Sequence, residues 1–473
     1  MRRNAGVAAA VAALAVAVSA SGAAAPPATA LVGGTLVDGT GGAPVPNAVV
    51  VFAGGKIACA GTGSACKVPK DAETIDVKGS WVTPGLVDAH VHLSQSGWAD
   101  SHPDSLDVRD RHPYEKVQAE LRAHPERLYR SFLCSGVTAV FDMGGYTWVW
   151  DERARTFANP DAPRVAAVGP LLSSIDHWVN LPAERQFIAM GDEKKVRETV
   201  RYLAYNRSDA VEVWLPAARD RKTEEAAAKM HAVSDEARRL GLPLVVDAIT
   251  LREAKEALTE GVSLLAHSVT DLEVDAEFLA LAQKNRTTYC PTLTMLSGYL
   301  RLYESIASAK PPEVDDPNGC VDAAVRALVA ETASLGPDRV DTRHAAGVRA
   351  LIDKARSVAA ANLRTVASAG IPVAMGTDAG NSLTLHGPAV YAEMEAMQAA
   401  GMSPMQVLVA STRNGALAMG AAGKDLGTVE AGKSADLLVV GADPTRDIAA
   451  MRKLALVVRA GAVHRVAELA AQK

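Results

Sequence analysis

Eight short apolar segments alternate with helical patterns between residues 81 and 378, and this alternation constrains the fold more than any other feature. The segments cover residues 81–89, 136–143, 164–170, 210–216, 242–248, 262–267, 287–293 and 371–378. Strands that alternate with helices and are apolar throughout favour a parallel sheet covered on both faces. Eight such units predict an α/β fold, the (β/α)8 TIM barrel, which we assign to residues 81–423.

Both flanks of the barrel region have a different pattern. Residues 31–80 and 424–466 contain short β-rich pieces separated by Gly and Pro, which is typical of strands and turns. We expect the two flanks to meet in one small composite β-sandwich. Within the barrel region, segment 299–360 is longer than one connecting helix requires, so it should contain additional helices.

The N-terminus is typical of a signal peptide. Arg2 and Arg3 precede an Ala/Val-rich run, and small residues follow that run. We assign residues 1–25 to this segment and expect cleavage, export to the periplasm or the medium, and no membrane association of the mature chain. An uncleaved membrane anchor is the alternative, but the run is short and weakly apolar for a span. Removing the two arginines changes the formal net charge from -5 to -7 (-5 minus 2), which argues against nucleic acid as a partner.

The five cysteines do not suggest a structural zinc site, because no two of them have C-x2-C spacing. Cys59 and Cys66 flank a Gly/Ser turn between two short apolar stretches, so they could face each other across a hairpin. An oxidising compartment would favour a disulfide bond between them. Two buried thiols are the alternative.

His90 and His92 lie one residue apart at the end of the first apolar segment. On an extended strand, side chains two residues apart point to the same side, so both imidazoles can converge on one point. Neutral imidazoles are good ligands for divalent metals, and barrel active sites are built at the carboxyl ends of the strands. Two histidines in ordinary structural positions are the alternative.

Four further polar residues lie in or at the end of later apolar segments: Glu212, Asp247, His267 and Asp378. An unpaired charge in such a place is costly. A shared cation would remove that cost for all of them together. For Glu212 and Asp247, a salt bridge inside the barrel or a solvent-facing strand end is the alternative.

Several segments in succession carry a resemblance to a known family. They are "TPGLVDAHVHL", "GVTAVFDMGG", "LLAHSVTD", "CPTLTM", "GTDAGNSLTLHG" and "LGTVEAGKSADLLVVGADP". They resemble signatures of the metal-dependent amidohydrolase superfamily, in its prolidase-like and imidazolonepropionase-like branch. The resemblance implies one or two divalent metal ions and hydrolysis of a C–N bond by metal-bound hydroxide, with an amide, cyclic amide or peptide-like substrate.

The resemblance also assigns residues. His90, His92, His267 and Asp378 match ligand positions of the family, while His177 and His386 fall where related sequences often place pocket residues. Trp214 is a further candidate for the substrate pocket. With metal bound, Asp378 is expected to act as general base and then general acid.

Two positions depart from the family pattern. Glu212 stands where the family has a carbamylated lysine that bridges two metals, and Asp247 stands where it has a histidine ligand. Both replacements are carboxylates, which suits retained metal binding. The predicted ligands are His90, His92, Glu212 and Asp378 for one ion, and Glu212, Asp247 and His267 for the other. Zn²⁺ is the expected ion, with Mn²⁺ or Fe²⁺ as alternatives.

Other functions on the same fold remain open from the sequence. They are hydrolysis of esters or lactones, deamination, and a degenerate barrel that binds a ligand or partner without turnover. The expected partner is a small-molecule substrate, whose identity the sequence does not specify. Neither a monomer nor a homo-oligomer is favoured.

Overall fold

The computed structural model describes residues 27–176, 180–215, 223–341 and 345–471. The predicted signal peptide, residues 1–25, lies outside the described residues. Within the described ranges, none of the helices combines the length and the apolar character needed to span a membrane.

Strands and helices are numbered in chain order over the described residues. The strands are β1 (Thr29–Leu36), β2 (Val45–Ala53), β3 (Lys56–Thr62), β4 (Glu73–Asp76), β5 (Trp81–Pro84), β6 (Leu86–Val91), β7 (Val137–Asp142), β8 (Arg164–Ala167), β9 (Leu171–Ser173), β10 (Phe187–Ala189), β11 (Val211–Trp214), β12 (Leu244–Asp247), β13 (Leu264–Ala266), β14 (Thr288–Cys290), β15 (Leu437–Val440), β16 (Leu454–Arg459) and β17 (Ala462–Arg465).

The α-helices are α1 (Tyr114–Ala123), α2 (Pro125–Cys134), α3 (Val149–Thr156), α4 (Glu193–Tyr205), α5 (Thr223–Leu240), α6 (Leu251–Thr259), α7 (Ala276–Asn285), α8 (Met295–Ser308), α9 (Ala323–Glu331), α10 (Ala345–Ser368), α11 (Ala389–Ala399), α12 (Pro404–Val409), α13 (Gly415–Ala418) and α14 (Val466–Leu469). Short 3-10 helices cover Ala99–Ser101, Thr332–Ser334, Pro337–Arg339, Gly420–Gly423 and Ile448–Arg452. A π-helical turn covers Ala410–Asn414.

Two parallel sheets form the barrel. One has the order β6-β7-β8, and the other has the order β10-β9-β11-β12-β13-β14. Between them, the backbone N–H of Asp209 donates to the carbonyl oxygen of Ala167 at 3.1 Å. This arrangement, with helices between the strands, confirms the predicted α/β barrel.

Segment 371–379 closes the barrel between β14 and β6. The N–H of Tyr289 donates to the carbonyl oxygen of Pro372, and the N–H of Asp378 donates to that of His90, both at 2.8 Å. The sequence predicts a strand over 371–378, but the structure has only single bridges there, at Val373 and Ala379. The eighth position of the barrel is therefore an extended segment that does not form a regular ladder.

The two flanks build one eight-stranded sheet, in the order β17-β16-β15-β5-β1-β2-β3 with β4 paired to β1. Leu31 and Val50 from the first flank are buried in the same apolar cluster as Leu437 and Val458 from the second. The N–H of Ile57, near the start of β3, donates to the carbonyl oxygen at position 433. Contacts of this kind join the two flanks into one unit, as the predicted composite sandwich requires.

The boundary between sheet and barrel differs from the sequence pattern. Residues 81–84 read as part of the first barrel strand, but β5 pairs with β1 and β15 instead. Gly85 separates β5 from β6, and a Cβ atom at this position would collide with Thr138. Because residue 85 has no side chain, β7 can pack directly against its backbone. This contact lies where the chain leaves the flank sheet and enters the barrel.

Two disulfide bonds link the chain, each with a Cα–Cα distance of 5.5 Å. One joins Cys59 to Cys66, which the sequence left as an open alternative. The other joins Cys134, at the end of α2, to Cys320, just before α9. It attaches segment 299–360, which contains the additional helices expected there, to the barrel. Cys290 is free and buried.

The two bonds should differ in their contribution to stability, because they close loops of different length. The bonded residues are 186 positions apart in Cys134–Cys320 and 7 apart in Cys59–Cys66. A longer loop means a larger loss of entropy in the unfolded chain. We expect Cys134→Ala/Cys320→Ala to lower the free energy of unfolding by about 5 kcal/mol and Cys59→Ala/Cys66→Ala by about 2–3 kcal/mol. Urea unfolding measures both, and equal losses would contradict this account.

Candidate metal centre

Three predicted ligands converge at the carboxyl end of the barrel. His90 lies near the end of β6, His92 follows that strand, and Asp378 lies at the end of the closing segment, residues 371–379. Asp378 Oδ1 is 3.4 Å from His90 Nε2 and 3.1 Å from His92 Nε2, and the two Nε2 atoms are 3.3 Å apart. One donor atom from each residue lies within 4.8 Å of the others, and all three residues are largely buried.

A second carboxylate, that of Asp88, joins the strand that carries His90 to the segment that carries Asp378. It accepts hydrogen bonds from Thr377 N at 3.0 Å, from Thr377 Oγ1 at 2.6 Å and from His90 N at 3.3 Å. Burial raises the pKa of Asp88 to about 7, although these bonds lower it. Asp88 was not among the residues predicted for the site. Its signal is a buried acidic residue within an apolar strand, two residues before His90.

The orientation of His92 is fixed by a backbone contact. Its Nδ1–H donates to the carbonyl oxygen of Gly144 at 2.9 Å, which directs Nε2 toward Asp378. Asp142 supports the same turn by accepting from Leu93 N at 2.7 Å and Gly144 N at 3.2 Å. This imidazole has the arrangement of a metal ligand, with one nitrogen held by a hydrogen bond and the other available.

Asp247 and His267 form a second pair on neighbouring strands. His267 Nε2 lies 3.2 Å from Asp247 Oδ2, and His267 Nδ1 lies 2.6 Å from Thr292 Oγ1. The ring centroids of His267 and His90 are 4.8 Å apart. The pair thus adjoins the first group without belonging to its tight cluster.

Backbone strain accompanies these positions. His267, Thr292 and Asp378 have positive φ angles of 67°, 43° and 61°, which non-glycine residues seldom adopt. Conformations of this kind persist where the surrounding structure imposes them, and they concentrate at functional sites.

Glu212 is the sixth predicted ligand, and it lies buried on β11 with its Oε2 unpartnered among the described residues. Burial raises the pKa of this carboxyl well above its ordinary value, and the nearby charges of Asp247 and Asp142 raise it further. An orphaned carboxylate oxygen next to histidines indicates a group that lacks its positive partner.

The electrostatics of the cluster test whether a cation suits it. Burial lowers the pKa of His92, but the hydrogen bond with Asp378 and the nearby carboxylate charges together outweigh this effect and raise it to about 10. Burial would raise the pKa of Asp378, but the neighbouring His90 and His92 hold it well below its usual range. Without a metal, a proton therefore supplies the positive charge. Three imidazoles and three carboxylates are suitable ligands for a divalent cation in that position.

A cavity of about 320 Å³ opens above this group. Five of the six predicted ligands line it: His92, Glu212, Asp247, His267 and Asp378. His90 lies directly beneath, in contact with His92 and Asp378.

The three predicted pocket residues have different outcomes. Trp214 lines the cavity and stacks at a tilt on Phe187, with centroids 5.3 Å apart. His386 lies behind the cavity, where it hydrogen-bonds through Nε2 to the carbonyl oxygen of His92 at 3.0 Å. This placement favours a positioning role for His386 over the predicted substrate contact. His177 lies outside the described residues.

Three further lining residues, His102, Gln186 and Asn381, were not individually predicted from the sequence. His102 Nε2 donates to the carbonyl oxygen of Gly380 at 3.3 Å, and Asn381 accepts from the Tyr299 hydroxyl at 2.6 Å. Gln186 donates to the Tyr114 hydroxyl at 2.9 Å. The only signal for His102 is its place in the polar segment that follows the first pair of histidines.

The sequence is similar to a known protein family and to known enzymes. The model of the Amidohydrolase family matches residues 81–464. An imidazolonepropionase of Chromobacterium violaceum is 25% identical over 386 residues, which cover 78% of this chain and 79% of that protein. An imidazolonepropionase of Caulobacter vibrioides is 49% identical over 53 residues, or 11% of this chain. That match spans 13% of the relative's own length.

The fold also matches solved structures. The crystal structure of a Xaa-Pro dipeptidase with bound methionine in the active site superimposes with a TM-score of 0.70 and 21% sequence identity. The superposition covers 93% of this chain and 100% of that one.

The substitution Glu212→Gln tests whether the buried carboxyl group lacks a positively charged partner. This test needs no activity assay. At pH 7 the metal-free protein must either bury the charged carboxylate of Glu212 or keep this group protonated above its ordinary pKa of 4.5. Both states cost free energy. We expect Glu212→Gln to stabilise the metal-free protein by about 1–3 kcal/mol in urea unfolding at pH 7.

The pH dependence of this effect has a defined sign. Because the folded pKa is raised, the wild type regains stability as the pH falls toward 4.5, where the unfolded chain also takes up the proton. The difference in the free energy of unfolding between wild type and Glu212→Gln should therefore become smaller at low pH. Glu198→Gln, on the exposed surface of α4, is the matched control and should show no such gain. Destabilisation by Glu212→Gln in the metal-free state would contradict the account.

Proposed function

We propose, from the premise that this chain belongs to the Amidohydrolase family, that it is a metal-dependent hydrolase of C–N bonds in amides, cyclic amides or peptide-like substrates. The observation that carries the proposal is the convergence of His90, His92 and Asp378. Their donor atoms lie within 4.8 Å of one another beside a cavity large enough for a small molecule.

The side chains suited to hold a cation follow from this geometry. His90, His92 and Asp378 would hold one ion, with Glu212 as a further ligand. Glu212, Asp247 and His267 would hold a second ion. When bound, a divalent cation lowers the pKa of a water molecule and polarises a carbonyl group. Zn²⁺ suits the imidazoles, and the three carboxylates keep Mn²⁺ and Fe²⁺ as alternatives.

Asp378 is proposed to move the proton. Its carboxylate lies between the histidines at the floor of the cavity, with Oδ1 free of hydrogen-bond donors other than the imidazoles. It would take the proton of the attacking water and pass it to the leaving nitrogen. The N–H of Asp378 donates to the carbonyl oxygen of His90 at 2.8 Å, which keeps the carboxylate in register with β6.

The remaining cavity wall supports a substrate with a bulky apolar group. Eight of its side chains are apolar or aromatic: Leu171, Phe187, Trp214, Leu215, Ile249, Met295, Leu296 and Tyr299. Apolar walls with a few placed polar groups are typical of small-molecule sites. We therefore propose an amide whose acyl or amine part is aromatic or branched.

Export is part of the proposal. The pattern of residues 1–25 supports it, and so do the two disulfide bonds, because such bonds persist in oxidising compartments. N-terminal sequencing of the protein recovered from the periplasm or medium tests this, and an intact N-terminus on cytosolic protein would contradict it.

Asp378→Asn tests the reaction directly. The change keeps the shape of the side chain but removes its proton-accepting charge, so we expect turnover of amide substrates to fall by about 100-fold or more at matched metal content. Asp353→Asn, on the exposed face of α10, is the control. Near-normal turnover by Asp378→Asn with metal bound would contradict the assigned role.

Trp214→Ala tests the apolar wall. We expect kcat/KM to fall by about tenfold for amides with an aromatic acyl group, because the lost side chain removes apolar contact area. Formyl and acetyl amides of the same amine should be nearly unaffected. An equal loss for both groups would mean that Trp214 acts on the metal centre and not on substrate selection.

A further inference from the structure

A second cavity, of about 350 Å³, lies between α1, α2, α9 and the loop formed by residues 95–102. We call it the outer cavity. Ser96 and Asp100 of the loop line the outer cavity, whereas Ser101 and His102 line the cavity of the metal centre. One short loop thus forms a wall of both cavities.

The loop is firmly held in this position. The N–H of Ser96 donates to Ser101 Oγ at 3.0 Å, and Trp98, which is fully buried, donates through Nε1 to Thr332 Oγ1 at 2.8 Å. The outer cavity is therefore bounded by ordered structure on its inner side.

The walls of the outer cavity are apolar. Val117 and Leu121 of α1, Leu128 of α2, and Val325 and Leu328 of α9 line it. Leu128 is buried and the other four are half-buried. Apolar side chains around an unfilled space gain free energy when an apolar group replaces water there.

The acidic residues of the outer cavity already have partners. Asp100 accepts a short hydrogen bond from Ser96 Oγ, and Glu120 lies 3.8 Å from His124 Nε2. Among the basic residues, Arg111 pairs with Glu331 at 3.4 Å. Only the Arg111–Glu331 contact joins two permanently charged groups, because the donor to Asp100 is a hydroxyl and the imidazole of His124 is charged only when protonated.

Two cations at the rim differ from the rest. Lys116 of α1 and Arg127 of α2 line the outer cavity and are exposed. No carboxylate of the described residues forms an ion pair with either of them. Lys116 and Arg127 carry two positive charges against the one negative charge of the exposed Glu120, so the rim is net positive above an apolar interior.

We propose that the outer cavity binds an apolar monocarboxylate, with its hydrocarbon part between α1, α2 and α9 and its carboxylate at Lys116 and Arg127. The site is separate from the metal centre and requires no catalytic residue. Its size suits a molecule of about ten to fifteen non-hydrogen atoms, since small-molecule sites begin near 300 Å³.

Isothermal titration calorimetry with 4-phenylbutyrate tests the proposal on the full mature chain loaded with its metal. We expect one binding event per chain, and about fivefold to tenfold weaker binding by Lys116→Gln/Arg127→Gln, because exposed ion pairs are individually weak. Lys194→Gln/Lys284→Gln removes the same charge from exposed positions elsewhere and should bind like the wild type. The neutral analogue 4-phenylbutanol should bind more weakly than the acid.

A second variant tests the apolar wall. Leu328→Asp places a charge among the apolar side chains and should abolish binding of both compounds, while thermal unfolding shows that the variant remains folded. Binding of 4-phenylbutyrate that is unchanged in both the rim and the wall variants would overturn the proposal and would place the ligand in another cavity. Equal affinity for the acid and the alcohol would overturn the assignment of an anionic ligand.

Discussion

Three carboxylates and three imidazoles are held largely out of water at one end of a parallel barrel, and the rest of the structure is arranged around that constraint. Without a positive charge between them, this group is costly, as the unpartnered oxygen of Glu212 shows. The fold offsets part of the cost with protons and hydrogen bonds. One cation at the His90–His92–Asp378 group and a second at Glu212, Asp247 and His267 would satisfy these donor atoms.

The supporting contacts explain why the ligands can stay in place. Asp88 ties the first barrel strand to the closing segment through Thr377, and Gly144 orients His92. Positive φ angles at His267 and Asp378 are the local cost of turning these side chains toward one point. The disulfide at Cys134 and Cys320 attaches the segment whose helix α8 supplies Tyr299 to the cavity.

The barrel and the candidate ligands could be predicted from the sequence. The strands of a parallel barrel are apolar segments, and functional residues lie at their carboxyl ends. That rule found Glu212 and Asp247 although they depart from the family pattern. Other features depend on contacts between distant residues, which no local pattern encodes. The pairing of Cys134 with Cys320, the transfer of residues 81–84 to the flank sheet, and the position of His386 behind His92 are of this kind. The outer cavity likewise arises only when α1, α2 and α9 come together.

The central claim is that His90, His92 and Asp378 hold a divalent cation in this chain. Anomalous diffraction at the absorption edge of the metal, from crystals of the loaded protein, tests it most directly. The account predicts a peak within about 2.0–2.3 Å of both Nε2 atoms and of a carboxylate oxygen of Asp378. A loaded crystal without a peak there, or with its only peak at another site, would contradict the account.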